Sequence, residues 1–298
     1  MNATETWTVG RLLTWTTDYL KKQGSDSARL DAEILLAHAR ECERIQLYTA
    51  FDEEPTEEQR TAFREMVRRR AEGSPVAYLV GYKEFYSAQF EVNPDVLIPR
   101  PETEHLIVET LDCAKEIRGT RGDESANLKV ADVGTGSGAI AVTLAKHLSA
   151  VQVLATDVSS EALAIAEKNA ETHECSGDVL SFFHGNLLAP IVEQGPFDLI
   201  VSNPPYVSAE EYANLAPSVR DYEPKTALVA DQGGAGLILE LLEQASSLLA
   251  NDGRVVIEYS PMLASTSESW LPQGWQVLRR VKDFAGHQRI LTLVLSSE

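Results

Sequence analysis

The stretch "VADVGTGSGAIAV", residues 130–142, begins as an apolar run around one aspartate, breaks into three glycines at alternate positions, and resumes in a helix-forming pattern. Gly134, Gly136 and Gly138 permit a tight turn and let a ligand approach the backbone at the start of the helix. The stretch therefore reads as strand, ligand loop and helix. Working outward, the same texture repeats. Strand candidates are "LKVADVG" (128–134), "VQVLATD" (151–157), "VLSFFHG" (179–185), "FDLIVSN" (197–203), "GRVVIEY" (253–259), "WQVLRRV" (275–281) and "RILTLVL" (289–295). Between them "SGAIAVTLAKHL" (137–148), "SSEALAIAEKNAETH" (159–173) and "GLILELLEQASSLLAN" (236–251) read as helices. Such alternation predicts an α/β fold, a mostly parallel sheet covered on both faces. No helix separates the last two strands, so the final one is expected to be antiparallel.

Upstream the pattern is helical. "TVGRLLTWTTDYLKKQG" (8–24) sets Leu12, Thr16, Tyr19 and Leu20 on one face and ends at Gly24. "SDSARLDAEILLAHAR" (25–40) opens on capping residues and spaces Leu30, Ile34, Ala37 and His38 helically. "PTEEQRTAFREMVRRRAEG" (55–73) has acids in its first turn and Arg68, Arg69 and Arg70 in its last, which suits a helix dipole and reads as a solvated helix end. The aromatic and β-branched stretch 74–106 reads as a hairpin-bearing connector with Gly81 as its turn candidate. The expected organisation is a helical domain over 1–74, a hairpin connector over 75–98, and the α/β domain over 99–298.

Of the 298 residues 44% are hydrophobic and 24% charged, ordinary values for a chain with a substantial core. Net charge is −19. Residues 1–90 carry 12 basic and 15 acidic side chains, leaving 14 and 30 beyond them, a net −16 that opposes contact with polyanions. No direct nucleic-acid partner is expected. "MNATETWTVGRLL" lacks a secretory leader's basic start and apolar core, and no uncharged run reaches the roughly 20 residues of a membrane span. A cytoplasmic protein without membrane association is expected. Cys42, Cys113 and Cys175 show neither disulfide nor zinc spacing, so no metal site is predicted.

The glycine loop alone also satisfies the dinucleotide pattern through Gly134, Gly136 and Ala139. Asp157, at the end of the second strand, could accept hydrogen bonds from the ribose of any adenosine cofactor. Asp132 discriminates. A carboxylate just before the loop disfavours a pyrophosphate and favours a ligand with an ammonium and a sulfonium, as in S-adenosylmethionine. It could instead only brace the loop. Asn186 and Leu187, after the third strand, stand where an adenine edge could be read.

"SNPPYV" (202–207) follows a buried strand and halts it, because neither proline has an N–H to donate. In an open α/β sheet it lies beside the glycine loop at the strands' carboxyl ends. The side-chain oxygen of Asn203 and the carbonyl of Pro204 could accept both hydrogens of a planar NH2 group. Pro204 and Pro205 hold that carbonyl stiffly, and Tyr206 can stack on the flat group. These contacts strengthen as the nitrogen gains positive charge, so they favour methyl transfer to it.

At these motifs the chain resembles the release-factor glutamine methyltransferases, the HemK/PrmC family. The likeness runs through "RLDAEILLAH" (29–38), "SPVAYLVGYKEFYS" (74–87), "VLIPRPETE" (96–104), "DVGTGSGAIAV" (132–142), "SNPPYV", "VRDYEPKTALVA" (219–230) and "KDFAGHQRIL" (282–291). It implies a Rossmann-like class I methyltransferase sheet and methylation of the glutamine side-chain amide in the Gly-Gly-Gln motif of peptide chain release factors. It also implies cofactor binding by Gly134, Thr135, Gly136, Ser137, Gly138 and Asp157, a grip on the glutamine by Asn203 through Tyr206, and docking of the release factor on the helical domain. Asn186 stands where many methyltransferases have an acidic residue, and Leu187 where the family sometimes has an aromatic. Roughly thirty residues separate Tyr206 from the next helix, longer than most connections, and this stretch is expected to close over the protein substrate. A monomer suffices. The alternatives are an adenine-N6 nucleic-acid methyltransferase using the same amide logic, a NAD-dependent oxidoreductase using the glycine loop, and a non-catalytic S-adenosylmethionine sensor.

Overall fold

A computed structural model describes residues 6–264 and 270–296; the first residues of the stretch on which the leader reading rests, 1–5, lie outside the described residues. The chain forms two compact units. One comprises Met1–Tyr82 with Ala216–Tyr222, the other Lys83–Leu215 with Glu223–Glu298.

The first unit holds α1 (Val9–Lys22), α2 (Ala28–Ala39), α3 (Gln46–Thr49), α4 (Glu57–Ala71) and α5 (Val76–Val80) around a core that includes Leu13, Leu20, Leu35, Leu36, Phe63 and Val67. α1 and α4 both end in Schellman turns: Ser25 N–H donates to Leu20 O and Ser74 N–H to Arg69 O, with Gly24 and Gly73 at positive φ. α2 departs from expectation. Leu30 is exposed, and the inward face is Ala28, Asp31, Ala32, Leu35 and Leu36. The helix is turned by Asp31, which accepts from Ser25 and Ser27 (both 2.7 Å) and pairs with Arg70 at 2.8 Å. Ser27 therefore serves Asp31 rather than capping the backbone. Arg70 is no solvated helix end either, whereas Arg68 pairs with Glu65 and Glu72 at the surface.

A hairpin of β1 (Tyr82–Phe85) and β2 (Ala88–Glu91) follows, its residues from Lys83 onward belonging to the second unit. Its turn is Tyr86–Ser87, both at positive φ as a two-residue hairpin loop requires. Gly81 is not the turn; it terminates α5 in the left-handed conformation. Next comes α6 (Glu104–Arg121), which the sequence pattern does not announce, entered through a 3₁₀ turn at Pro101. β3 (Leu128–Val133), α7 (Ala139–His147), β4 (Val151–Asp157), α8 (Ser160–Thr172), β5 (Leu180–His184) and β6 (Phe197–Ser202) follow. The long connection contains α9 (Ala209–Ala213) and α10 (Pro217–Arg220), the latter grouped with the first unit. α11 (Gly236–Ala245), β7 (Leu249–Glu258), α12 (Pro261–Ala264), β8 (Trp275–Lys282) and β9 (Gln288–Leu295) complete it.

The seven-stranded sheet has the order β5-β4-β3-β6-β7-β9-β8, with β9 antiparallel to both neighbours and the first five strands parallel. Successive strand residues alternate between two cores. Val130, Val201 and Val256 face the α6–α7 layer, while Ala131, Ile200, Val255 and Ile257 face Ile238, Leu241 and Leu242 of α11. α11 is shorter than its apolar run suggests. Leu248 O accepts from Phe197 N–H at 2.7 Å and Leu249 is registered with Phe197, so strand pairing takes over where a helical pattern would continue.

Candidate active site

Parallel register brings three chain segments to one line. Val133 is opposite Thr156 on one side and Ser202 on the other, so Gly134, Asp157 and Asn203 are the next residues out at the carboxyl ends of β3, β4 and β6. All three line one cleft of about 140 Å³ with Gly136, Asn186, Leu187 and Pro205. A larger hollow of about 710 Å³ along α11, lined by Asp231, Glu240, Glu243 and Trp275 among others, contains none of the candidate residues. Size alone does not locate the chemistry.

The glycines divide their roles. A Cβ on Gly134 or Gly136 would meet no atom within 4 Å, whereas one on Gly138 would lie 3.0 Å from the Ala166 side chain. The first two therefore keep backbone open to a ligand, and the third lets α7 approach α8. Thr135 and Ser137 are buried, and Ser137 O accepts from Asn169 Nδ2 at 2.8 Å. Asp157 accepts Gly136 N–H at 2.8 Å on one oxygen and Ser159 N–H at 2.9 Å on the other, which fixes the carboxylate and leaves lone pairs for ribose hydroxyls. Asn186 is exposed and donates to Glu240 at 2.7 Å; Leu187 adopts positive φ.

Asp132 lies under the loop, wholly buried and not among the cleft-lining residues. Thr135 Oγ1 donates to its Oδ2 at 2.7 Å, while Oδ1 has no hydrogen-bond partner among the described residues. Burial pushes its pKa up to about 7; the Thr135 hydrogen bond and the Ala141 amide act against this, and the charge of Asp157 adds to it.

Asn203 donates through Nδ2 to Thr103 Oγ1 at 3.2 Å. Thr103 in turn donates to Glu258 Oε2 at 2.7 Å, and Tyr206 OH donates to Glu258 Oε1 at 3.1 Å. Glu258 is almost fully buried, which raises its pKa; burial and the Glu258 charge raise that of Tyr206. Among the described residues none donates to Asn203 Oδ1 or to the Pro204 carbonyl. Val207 pairs with the returning chain, Val207 N–H to Leu228 O (2.9 Å) and Ala230 N–H to Val207 O (3.0 Å), which pins the segment just beyond Tyr206.

Sequence reasoning did not assign roles to Thr103, Glu223 or Glu258. Glu223, buried, accepts Ile98 N–H at 3.2 Å and pairs with Arg100 at 2.5 Å. It thereby ties 95–97 to 224–227, two segments that complete the cleft wall. Its signal lay in "VLIPRPETE" and "YEPKTAL", whose polar residues sit among prolines that no surface turn requires.

Residues 11–81 match the PrmC N-terminal domain, and residues 108–218 the Methyltransferase small domain. The chain is 50% identical over 289 residues to a release factor glutamine methyltransferase of Rhodopirellula baltica, covering 96% of each chain. It is 40% identical over 251 residues to one of Bacillus anthracis, covering 84% of this chain and 85% of that one. Among solved structures, the hMettl16 catalytic domain in complex with MAT2A 3′UTR hairpin 6 aligns with a TM-score of 0.50 and 17% identity over 78% of this chain and 83% of that one, a likeness of fold alone. Identity at this level over nearly the full length, with both domain matches in place, shows that the chain belongs to the release factor glutamine methyltransferase family.

Proposed function

We propose that the protein methylates the side-chain amide nitrogen of the glutamine in the Gly-Gly-Gln motif of peptide chain release factors, with S-adenosylmethionine as donor. The observation that carries this reading is that the glycine loop and the Asn203–Pro205 turn line one cleft. The donor set suits such a cofactor: open backbone at Gly134 and Gly136 and lone pairs on Asp157 for ribose, with Asp132 bracing the loop from beneath through Thr135 rather than facing the cleft. Thr135, Ser137 and Gly138 shape the loop, and Asn186 and Leu187 flank the adenine side.

When bound, S-adenosylmethionine supplies an electrophilic methyl group on a sulfonium. Asn203 Oδ1 and the Pro204 carbonyl accept the two amide hydrogens of the glutamine and direct its nitrogen, while Pro205 stiffens the turn and Tyr206 covers the amide's flat face. An amide nitrogen is a weak nucleophile because its lone pair is delocalised. Two fixed acceptors stabilise the positive charge that grows on it during transfer. The helical domain, residues 1–74, docks the release factor; the hairpin connector, residues 75–98, joins it to the methyltransferase domain, residues 99–298. The protein works in the cytoplasm as a monomer without nucleic acid.

Mass spectrometry of a recombinant release factor incubated with the protein and labelled cofactor tests this. A mass gain of one methyl on the Gly-Gly-Gln glutamine is expected, and Asn203→Ala should lower kcat by about 10²–10³-fold. Unmodified glutamine beside methylated nucleic acid would overturn it in favour of the adenine chemistry.

A further inference from the structure

We propose that Thr103 and Glu258 are positioning residues that fix which end of the Asn203 carboxamide faces the substrate. This rests on the reading of Asn203 Oδ1 as the acceptor for a substrate amide hydrogen. The oxygen and nitrogen ends of a carboxamide are nearly equal in size, so shape does not select between them. Turned the wrong way, Asn203 would set its own NH2 against the NH2 of a glutamine, two donors with nothing to accept.

The structure contains a device that forbids this. Both oxygens of the Glu258 carboxyl group act as acceptors here. Glu258, almost fully buried at the end of β7, takes the Thr103 hydroxyl hydrogen on Oε2 at 2.7 Å and the Tyr206 hydroxyl hydrogen on Oε1 at 3.1 Å. Thr103 has one hydrogen, and it is committed to Glu258. Only lone pairs remain on Thr103 Oγ1 for its other neighbour, so Asn203 must present Nδ2 there, as it does at 3.2 Å. Oδ1 is left pointing elsewhere, with no donor from the described residues. The order of donors runs from Asn203 through Thr103 to Glu258. Tyr206 is oriented by the same carboxyl group, so one buried side chain aligns both Asn203 and Tyr206 of the Asn-Pro-Pro-Tyr turn.

Thr103→Val removes the hydroxyl at nearly constant shape, Thr103→Ser retains it, and Glu258→Gln replaces the oxygen that accepts from Thr103 or Tyr206 with a carboxamide that can present NH2 there. In the full-length protein, the side-chain NH2 resonances of Asn203, assigned by their loss in Asn203→Ala, should lose hydrogen-exchange protection in Thr103→Val and keep it in Thr103→Ser. With a release factor as substrate, kcat should fall about 10–10²-fold in Thr103→Val and Glu258→Gln, with the cofactor KM within about twofold, and Thr103→Ser should stay near wild type. Unchanged resonances and unchanged kcat in Thr103→Val would overturn the proposal. If the wild type transfers no methyl to a release factor, the substrate assignment fails, and the NMR comparison alone decides whether Thr103 orients Asn203.

Discussion

Asp132 is wholly buried, so its charged form is disfavoured in the folded chain, and its pKa is pushed up to about 7 against 3.8 in the unfolded one. A raised folded-state value means that the folded protein binds this proton more tightly than the unfolded one. The corresponding stability is fully present below about pH 4 and is lost as pH rises to about 7. Asp132→Asn removes the dependence. The stability of Asp132→Asn relative to wild type should therefore grow with pH through this window by up to ~4 kcal/mol and level off above it. Denaturant unfolding of both proteins at several pH values measures this, and a difference independent of pH would refute it. The sequence showed a carboxylate before the loop and two roles for it. It did not show that the residue sits beneath the loop with Thr135 on it, because burial here depends on how β3 and α7 close around it. Asn203 was more legible, since two prolines after a buried strand have few other uses. Thr103 and Glu258 were not, lying 100 and 55 positions away in sequence with no local pattern linking them to Asn203.

At the scale of elements, the five parallel strands were legible because their apolar runs are bounded by turn residues and fill both faces of the sheet. α6 was not. Its buried residues interleave the aliphatic Leu106, Ile107 and Ile117 with Thr110, Cys113 and Ala114 and with the charged Glu109 and Arg118, and the helix follows directly on a proline-rich stretch. The end of α11 was misread for the opposite reason, an apolar run that continues past the helix into β7. The cleft wall depends on a contact between elements. Asp95–Leu97 and Pro224–Ala227 carry no sheet pairing to each other, and Glu223 joins them through Ile98 N–H and Arg100. Glu223→Ala should free both segments. The expected result is a rise of about tenfold in the KM for S-adenosylmethionine with a smaller change in kcat, because the wall moves and the Asn203 grip does not. Faster proteolysis between residues 207 and 235 should accompany it. A cofactor KM and a cleavage rate equal to wild type would show that Glu223 does not hold the wall.

Charge acts at the scale of the whole molecule, and it separates chemistries that the turn at Asn203 leaves open. A planar NH2 group occurs on adenine as well as on glutamine, and the fold is shared with the hMettl16 catalytic domain, solved with an RNA hairpin. Binding to a polyanion requires cations placed to neutralise phosphates. Beyond residue 90 acidic side chains outnumber basic ones by 30 to 14, and several of the arginines there, Arg100, Arg121, Arg254 and Arg279 among them, are already paired with carboxylates. The three arginines at the end of α4 offer little more, with Arg68 bound to Glu65 and Glu72 and Arg70 to Asp31. The protein should therefore pass through a heparin column at an ionic strength of about 0.05 M, where the Debye length is longer than at physiological salt and a basic surface would be held most strongly. Fluorescence anisotropy with labelled single-stranded DNA and RNA should likewise show no binding at micromolar protein. Retention on heparin that falls steeply with salt would mean that a cationic surface forms despite the overall balance, and would return nucleic acid to consideration as a partner.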